Sequence, residues 1–342
     1  MNKISMPKLT LPRSLASLKI ERQTVLLIGI LVVLMTFFTV KEDKFLTVRS
    51  VTSMGFQLPE IGVLSLAMML AIISGGIDLS INSISNLGGV LAGMLMLRMI
   101  PEGAAEGQIW LYIGLAALVF LLVGLLAGTL NGILVGHVGV PPILATLATG
   151  TIFTGISTGL TGGRTVTGFP DQVQVLGSET LFGIPLPFVV FVVLTAVMAV
   201  VLNHTSFGFK LRMVGTNPDA ATFSGIDNKA IIMRTYIYSG LLAAVAGMIV
   251  MSRTASAAYE YGSKTYVLST ILIAVLAGLQ HGFGNALNIF LSVLILQVIS
   301  TGSHMLLLGV RGSSFFKDFS WGILLVVIFV VNYYLHHRES HK

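Results

Sequence analysis

The chain is 342 residues long, 54% apolar and only 10% charged, against about 25% charged in an ordinary soluble domain. A water-exposed surface needs charge, so 20 Lys plus Arg and 14 Asp plus Glu exclude a soluble protein of this size and make lipid the solvent. The net charge of +6 rests on no Lys/Arg cluster interleaved with aromatics, which argues against nucleic acid as a partner, and the absence of Cys excludes disulfides, thiol catalysis and Cys-ligated metal.

A helix crosses the hydrocarbon core with about 20 apolar residues. In chain order the uncharged windows are residues 23–40, 61–77, 79–97, 107–136, 138–163, 180–203, 235–252, 265–280, 282–303 and 319–335, which predicts about ten spans in an all-α bundle. Only Asp78 parts the second window from the third, and only His281 the eighth from the ninth. Each of these pairs is either two spans or one broken, re-entrant system, since non-helical backbone survives at membrane depth where protein buries it. The organisation is a segment 1–22, one membrane domain 23–335 with a polar loop at 203–234, and a tail 336–342.

Lys3, Lys8, Arg13, Lys19 and Arg22 precede the first window, and no small-residue cleavage site follows it, so it reads as a retained span with a cytoplasmic N-terminus. An even number of spans returns the tail to the same side. Eleven of the 20 Lys and Arg then lie inside, a thin bias carried by the N-terminal cluster, and the excess of positive charge suits anionic membrane lipid.

Glycines 124, 128, 132 and 136, and then 150, 155 and 159, keep near-helical spacing, which lets helix backbones approach closely in lipid. Enzyme signatures are scarce. Gly262-Ser263-Lys264-Thr265 imitates the end of a phosphate-binding loop, but the glycine required upstream is missing and Ser263 splits the Gly-Lys pair. His336, His337 and His341 sit on a charged tail, where a solvated juxtamembrane segment is the simpler reading than a metal site. Asp78 and His281, between adjoining windows, are the only candidates for ionisable groups at depth, which counts against an ion-coupled carrier.

Two stretches stand out. In Gly75-Gly76-Ile77-Asp78-Leu79-Ser80 two glycines permit an abrupt turn, and Asp78 and Ser80 are N-cap residue types for a helix running on from Ile81. The segment is then a capped helix break, a helix start lining a polar pathway, or both. Between the sixth and seventh spans, Asn217 and Pro218 suit a helix start, Ala220 and Ala221 its interior and Gly225 its stop, so a helix of about seven residues is expected there. It is a docking element for a partner or a loop that turns the chain.

At these residues the sequence resembles the permease subunits of bacterial ATP-binding-cassette importers for simple sugars of the ribose, xylose and galactose type. Gly75 to Ser80 matches that family's GGIDLS motif. The stretch Gly124 to Val135 with Asn131-Gly132, then Pro142 with Ala145-Thr146-Leu147, then the Phe207 to Ile226 loop follow in the family's order, over about residues 55–335. The resemblance implies the vitamin B12-permease-like helical architecture in a bacterial cytoplasmic membrane, with both termini inside. It implies partners as well: ATPase subunits that carry ATP and Mg, a second permease copy or a homologous permease, and a periplasmic or lipid-anchored sugar-binding protein. The chain itself would bring no cofactor and no catalytic or metal site. Carried over, Gly215, Asn217, Pro218, Ala220, Ala221, Gly225 and Ile226 form the loop that couples to the ATPase, and Gly75, Gly76, Asp78 and Ser80 the motif at the helix break.

The sequence departs from the family at Val267-Leu268-Ser269, where most members carry Glu-Leu-Asp, and at Ala277 to Gly284, where they carry a Gly-Gly-x-Ser-x-x-Gly-Gly run. The function implied is inward movement of a monosaccharide by alternating access. The alternatives are a furanosyl signalling molecule of the autoinducer-2 type, a polyol or a nucleoside carried by the same class of importer, or an ion-coupled secondary carrier. Asn82, Ser83, Asn86, Asn131, Thr146 and Gln297 are uncharged hydrogen-bonding groups inside apolar spans. They either face the solute path or bond helices to each other.

Overall fold

A computed structural model describes residues 21–101, 103–263, 265–307, 319, 322, 323 and 326. Most of the segment 1–22, most of the tenth window, Lys264 and the tail with His336, His337 and His341 lie outside the described residues.

The described chain is a polytopic helical bundle. In order it runs α1 (Arg22–Lys41), α2 (Val48–Ile73), α3 (Ile81–Met99), α4 (Glu106–Gly132), which continues as a wider π-helical turn over Ile133–Val138, and α5 (Pro142–Thr161). A connecting stretch follows with β1 (Val166–Thr167), a 3-10 turn (Asp171–Gln174), α6 (Val175–Ser178), β2 (Thr180–Leu181) and β3 (Ile184–Pro185). Then come α7 (Leu186–His204), α8 (Ser206–Thr216), α9 (Pro218–Phe223), α10 (Asn228–Thr254), β4 (Ser256–Ala257), α11 (Tyr266–Leu276) and α12 (Ala286–Leu306). The strands are two-residue antiparallel pairs, β1 with β4 and β2 with β3.

Seven of the described helices are long and apolar enough to cross a membrane. The 19-residue α3 falls short on apolarity because Asn82, Ser83, Ser85 and Asn86 sit on it. The eighth window proves to be a helix of 11 residues, half a crossing. It stops because Gly278 turns the chain at φ +71° and the Gly282 N–H donates to the Ile73 carbonyl, tying the turn to the end of α2. The second span begins at Val48 rather than residue 61, so Glu60 lies inside it. The sixth begins at Leu186 rather than 180, because Phe182 and Gly183 take positive φ in the β2–β3 turn before Pro185.

α2 and α10 are the central helices, with 78% and 72% of their apolar windows buried, against 17% for α1 and 22% for α4. Lipid-facing helices expose Leu, Ile and Val without cost, so burial here marks position in the bundle rather than stability. α4 crosses α10 on its glycines: a Cβ on Gly124 would meet the Gly240 carbonyl, and one on Gly128 the Tyr236 carbonyl. In the second glycine run Gly150 abuts Ser80, whereas Gly155 and Gly159 have nothing within 4 Å. Gly128→Val is therefore expected to lower the melting temperature of the purified protein by the equivalent of about 1–3 kcal/mol of overpacking, and Gly155→Val to leave it unchanged. Equal melting of the two variants would refute the close α4–α10 approach.

The bundle has two polar ends. At one end lie the start of α1, whose Gln23 Nε2 donates to the Leu276 carbonyl at 2.8 Å, the 277–285 turn, and α8 with α9. At the other end the β1–β4 pair joins the 162–185 stretch to the residues after α10, and the Gly177 N–H donates to Ser252 Oγ at 2.7 Å.

Candidate functional site: a broken helix, a short surface helix and a buried ion pair

The break between α2 and α3 is built by hydrogen bonds that close a helix end. The Gly75 N–H donates to the Ile72 carbonyl and the Gly76 N–H to the Ala71 carbonyl, with Gly75 at φ +96°, a Schellman closure that needs glycine at its left-handed position. Gly76 is fixed for a different reason, since a Cβ there would lie 2.7 Å from Pro142 Cβ and 2.8 Å from Tyr236 Oη.

Beyond the glycines the chain is held by side chains. Asp78 is wholly buried. Its Oδ1 accepts from the Ser80 N–H at 3.0 Å and from Ser80 Oγ at 2.6 Å, and its Oδ2 accepts from Ser239 Oγ on α10 at 2.8 Å. Asn131 Nδ2 on α4 donates to Ser80 Oγ at 2.7 Å, and Thr149 Oγ1 on α5 donates to Asn131 Oδ1 at 2.6 Å. Thr146 Oγ1 accepts the Leu79 N–H at 3.0 Å and lies 2.8 Å from the Pro142 carbonyl and 3.2 Å from that of Ile77, either of which takes its proton. Ser80 precedes α3 in helical geometry with no side-chain cap bond. The expectation that Asp78 and Ser80 cap α3 is thus corrected: the Ser80 hydroxyl is spent on Asp78, and Asp78 ties the break to α10.

The short helix predicted in the 203–234 loop is α9, six residues long. Asn217 Oδ1 accepts the Ala220 N–H at 3.0 Å, and Pro218 occupies the first turn. At its end Gly225, at φ +77°, donates its N–H to Thr222, and the Ile226 N–H donates to Ala221, a second Schellman closure. Asn228 Nδ2 fastens the helix by donating to the Pro218 carbonyl at 2.7 Å and to Thr222 Oγ1 at 2.9 Å. Ala221 is fully buried, Ala220 is exposed, and Phe223 stands 92% exposed. α8, just before, seats this loop on the bundle: a Cβ on Gly215 would collide with the Ile73 carbonyl, and Arg212 Nη2 donates to the Gly284 carbonyl at 2.8 Å. The surface helix is therefore two packed contacts away from the Gly75–Ser80 break.

A third cluster escaped the sequence reading. Glu60, 1% exposed in mid-α2, receives Arg253 Nε from the end of α10 on Oε1 and the Tyr266 hydroxyl on Oε2 at 2.5 Å. Arg253 Nη2 also donates to Tyr261 Oη at 2.9 Å. The uncharged windows were bounded by these residues, at 61 and at 252, so the partners were set outside the spans. The available signal was the apolar run continuing upstream of Glu60 through Leu58, Phe56 and Met54. By contrast His281 is exposed in the 277–285 turn, so it is no ionisable group buried at depth.

The six path candidates do not converge on one space. Asn131 and Thr146 are consumed at the break. Asn82 Nδ2 donates to the Tyr261 carbonyl at 2.9 Å, and Asn86 Nδ2 to the carbonyls of Tyr259 and Tyr261 at 3.0 Å each. Ser83, half-buried, accepts from Thr154 Oγ1 at 3.1 Å. Gln297 Nε2 on α12 bonds Thr301 Oγ1 at 3.0 Å.

The sequence profile of the family described as "Branched-chain amino acid transport system / permease component" matches residues 51–331. Among curated proteins the chain is similar to the Autoinducer 2 import system permease protein LsrD of Enterobacter sp. (strain 638), 28% identical over 330 residues that cover 94% of this chain and 96% of that protein. It is 31% identical to the Ribose import permease protein RbsC of Bacillus subtilis (strain 168), over 87% of this chain and 88% of that one. The LsrD of Klebsiella pneumoniae subsp. pneumoniae is also 31% identical, over 82% of each chain. No solved structure matches. With that profile spanning the bundle from early in α2 to beyond α12, and relatives aligned along nearly their whole length, this multi-pass membrane protein belongs to the branched-chain amino acid transport system / permease component family.

Proposed function

We propose that this chain is the permease subunit of an ATP-driven importer that carries a monosaccharide inward by alternating access, powered by ATP and Mg on separate ATPase chains. The observation that carries the reading is α9: a short helix, closed at both ends, standing out from the bundle with Phe223 exposed and fastened through α8 to the broken helix. A transport subunit driven from outside needs such a lever, and Gly215, Asn217, Pro218, Ala220, Ala221, Gly225 and Ile226 build it. The names of the ribose and autoinducer-2 relatives support a small hydroxylated solute, with a furanosyl signalling molecule as the second choice. The remaining partners are a second permease copy or a related permease, and an external binding protein that delivers the solute. The face carrying α1's start, α8 and α9 is cytoplasmic in this reading.

The test is purification in mild detergent from a host expressing the whole transporter, followed by uptake of labelled D-ribose in vesicles. An ATPase that co-purifies in stoichiometric amount, with uptake that depends on internal ATP, is the expected outcome. A chain that purifies alone and moves solute on an ion gradient without ATP would replace the reading with a secondary carrier.

A further inference from the structure

The Glu60–Arg253 pair has no role in the mechanism above, and stability does not explain it. Taking two charges out of water costs about as much as their attraction returns, and well-packed apolar residues serve a core equally well. Its neighbours are of one kind. Around the carboxylate and the guanidinium stand two phenols, Tyr261 and Tyr266, with rings edge to face at 5.7 Å, and the amides of Asn82 and Asn86 one step away on α3. A carboxylate acceptor, a guanidinium fork, amides and aromatic rings make up a set that binds hydroxyls and packs against the C–H faces of a ring.

We infer that this cluster is the permease's contact site for its solute, a neutral molecule bearing neighbouring hydroxyls. The inference rests on the sugar-import reading and adds the groups that meet the solute.

The arrangement of the phenols supports it. Their oxygens lie 3.5 Å apart, one held by Arg253 and the other by Glu60. They occupy the pair as two adjacent hydroxyls of a diol would, and a solute takes their places when they leave. The segment that carries Tyr261 is short and non-helical, unlike the long helices around it. It is bounded by two left-handed positions, Ala255 at φ +47° and Gly262 at φ +64°; the two-residue β4–β1 pair holds its start, and the side-chain amides of Asn82 and Asn86 on α3 hold its Tyr259 and Tyr261 carbonyls. Arg253 keeps 29% of its side chain exposed. Beside it, Ser85, Asn86, Ser256 and Tyr261 line a cavity of about 10 Å³, room for about one water. The site is thus closed in this structure, with its charges paired internally. It lies about 20 Å along α2 from Ile73, where the surface helix connects, so solute contact at the middle of α2 and the proposed lever at its end share one helix.

The test uses the complete transporter with its ATPase and binding protein. Uptake of labelled D-ribose, D-xylose, D-galactose and autoinducer-2 is compared between wild type and the variants Glu60→Gln, Arg253→Gln and Glu60→Gln/Arg253→Gln. The double variant keeps a neutral hydrogen-bonding pair, so a merely structural lock survives it; the contact site predicts at least a tenfold loss of uptake with the melting temperature little changed. A second measurement does not depend on those variants folding. The chain has no cysteine, so Ser256→Cys is a single target for a small thiol reagent, and a transported sugar should slow its modification at least threefold. Wild-type rates of uptake in the double variant overturn the site, and so does modification of Cys at 256 that is indifferent to a sugar the wild type carries. A wild type that moves none of the four solutes overturns the sugar-import reading and this inference with it.

Discussion

Replacing Ala220 with arginine is expected to abolish ATP-dependent uptake while the subunit stays folded. Ala220 is exposed on α9 beside Phe223, and its side chain supports nothing in the bundle. A bulky cation there meets whatever docks on the helix. A penalty of about 2 kcal/mol, the size of an interface hot spot, weakens docking roughly 30-fold. The measurements are labelled ribose uptake, recovery of the ATPase in the purified complex, and melting temperature. Unchanged uptake would remove α9 from the coupling path. Ala221 is the wrong position for this test, although the two alanines look equivalent in sequence. Ala221 is fully buried and its carbonyl accepts the Ile226 N–H that closes the helix, so a charge there unfolds the loop instead of blocking a partner.

Asp78→Ala is the second large effect, and it should appear in stability before transport. A helix cap lost to alanine costs about 0.5–2 kcal/mol. Asp78 is not a cap of α3, and its removal costs more than one: it orphans the Ser80 N–H, the Ser80 hydroxyl and the Ser239 hydroxyl, all buried. At about 1 kcal/mol or more for each unsatisfied donor, the loss comes to roughly 3 kcal/mol or above. Asp78→Asn keeps a carbonyl acceptor and should recover much of it. Thermal unfolding in detergent decides the matter: equal melting for Asp78→Ala and wild type would show that the network does not hold the break, whereas a drop larger than that of Asn217→Ala, a plain cap loss, supports it.

The family resemblance leads to an acidic pair at 267–269, where this chain has Val267-Leu268-Ser269. The structure places a carboxylate in the same neighbourhood from another helix, Glu60 on α2, hydrogen-bonded to Tyr266. Composition along one segment cannot report such a supply, because the donor helix is more than 200 residues away in the chain.

By itself the sequence determined the solvent, the break at Gly75 to Ser80 and the short helix at Pro218. These are local properties: apolar run length sets a span, paired glycines close a helix end, and Asn-Pro followed by Gly sets the limits of a short helix. The tertiary structure alone decided which polar groups pair. Charge was read from the sequence as the end of a span, so Glu60 and Arg253 marked boundaries until packing brought them together inside the bundle. Asp78 read as a cap until Ser239, 161 residues on, supplied its second partner. The half-length of α11 was decided the same way, by a bond from Gly282 to Ile73 that no stretch of apolar residues predicts. In lipid the backbone donors must find acceptors within the protein, and which side-chain groups pair with them and with each other depends on which helices lie side by side.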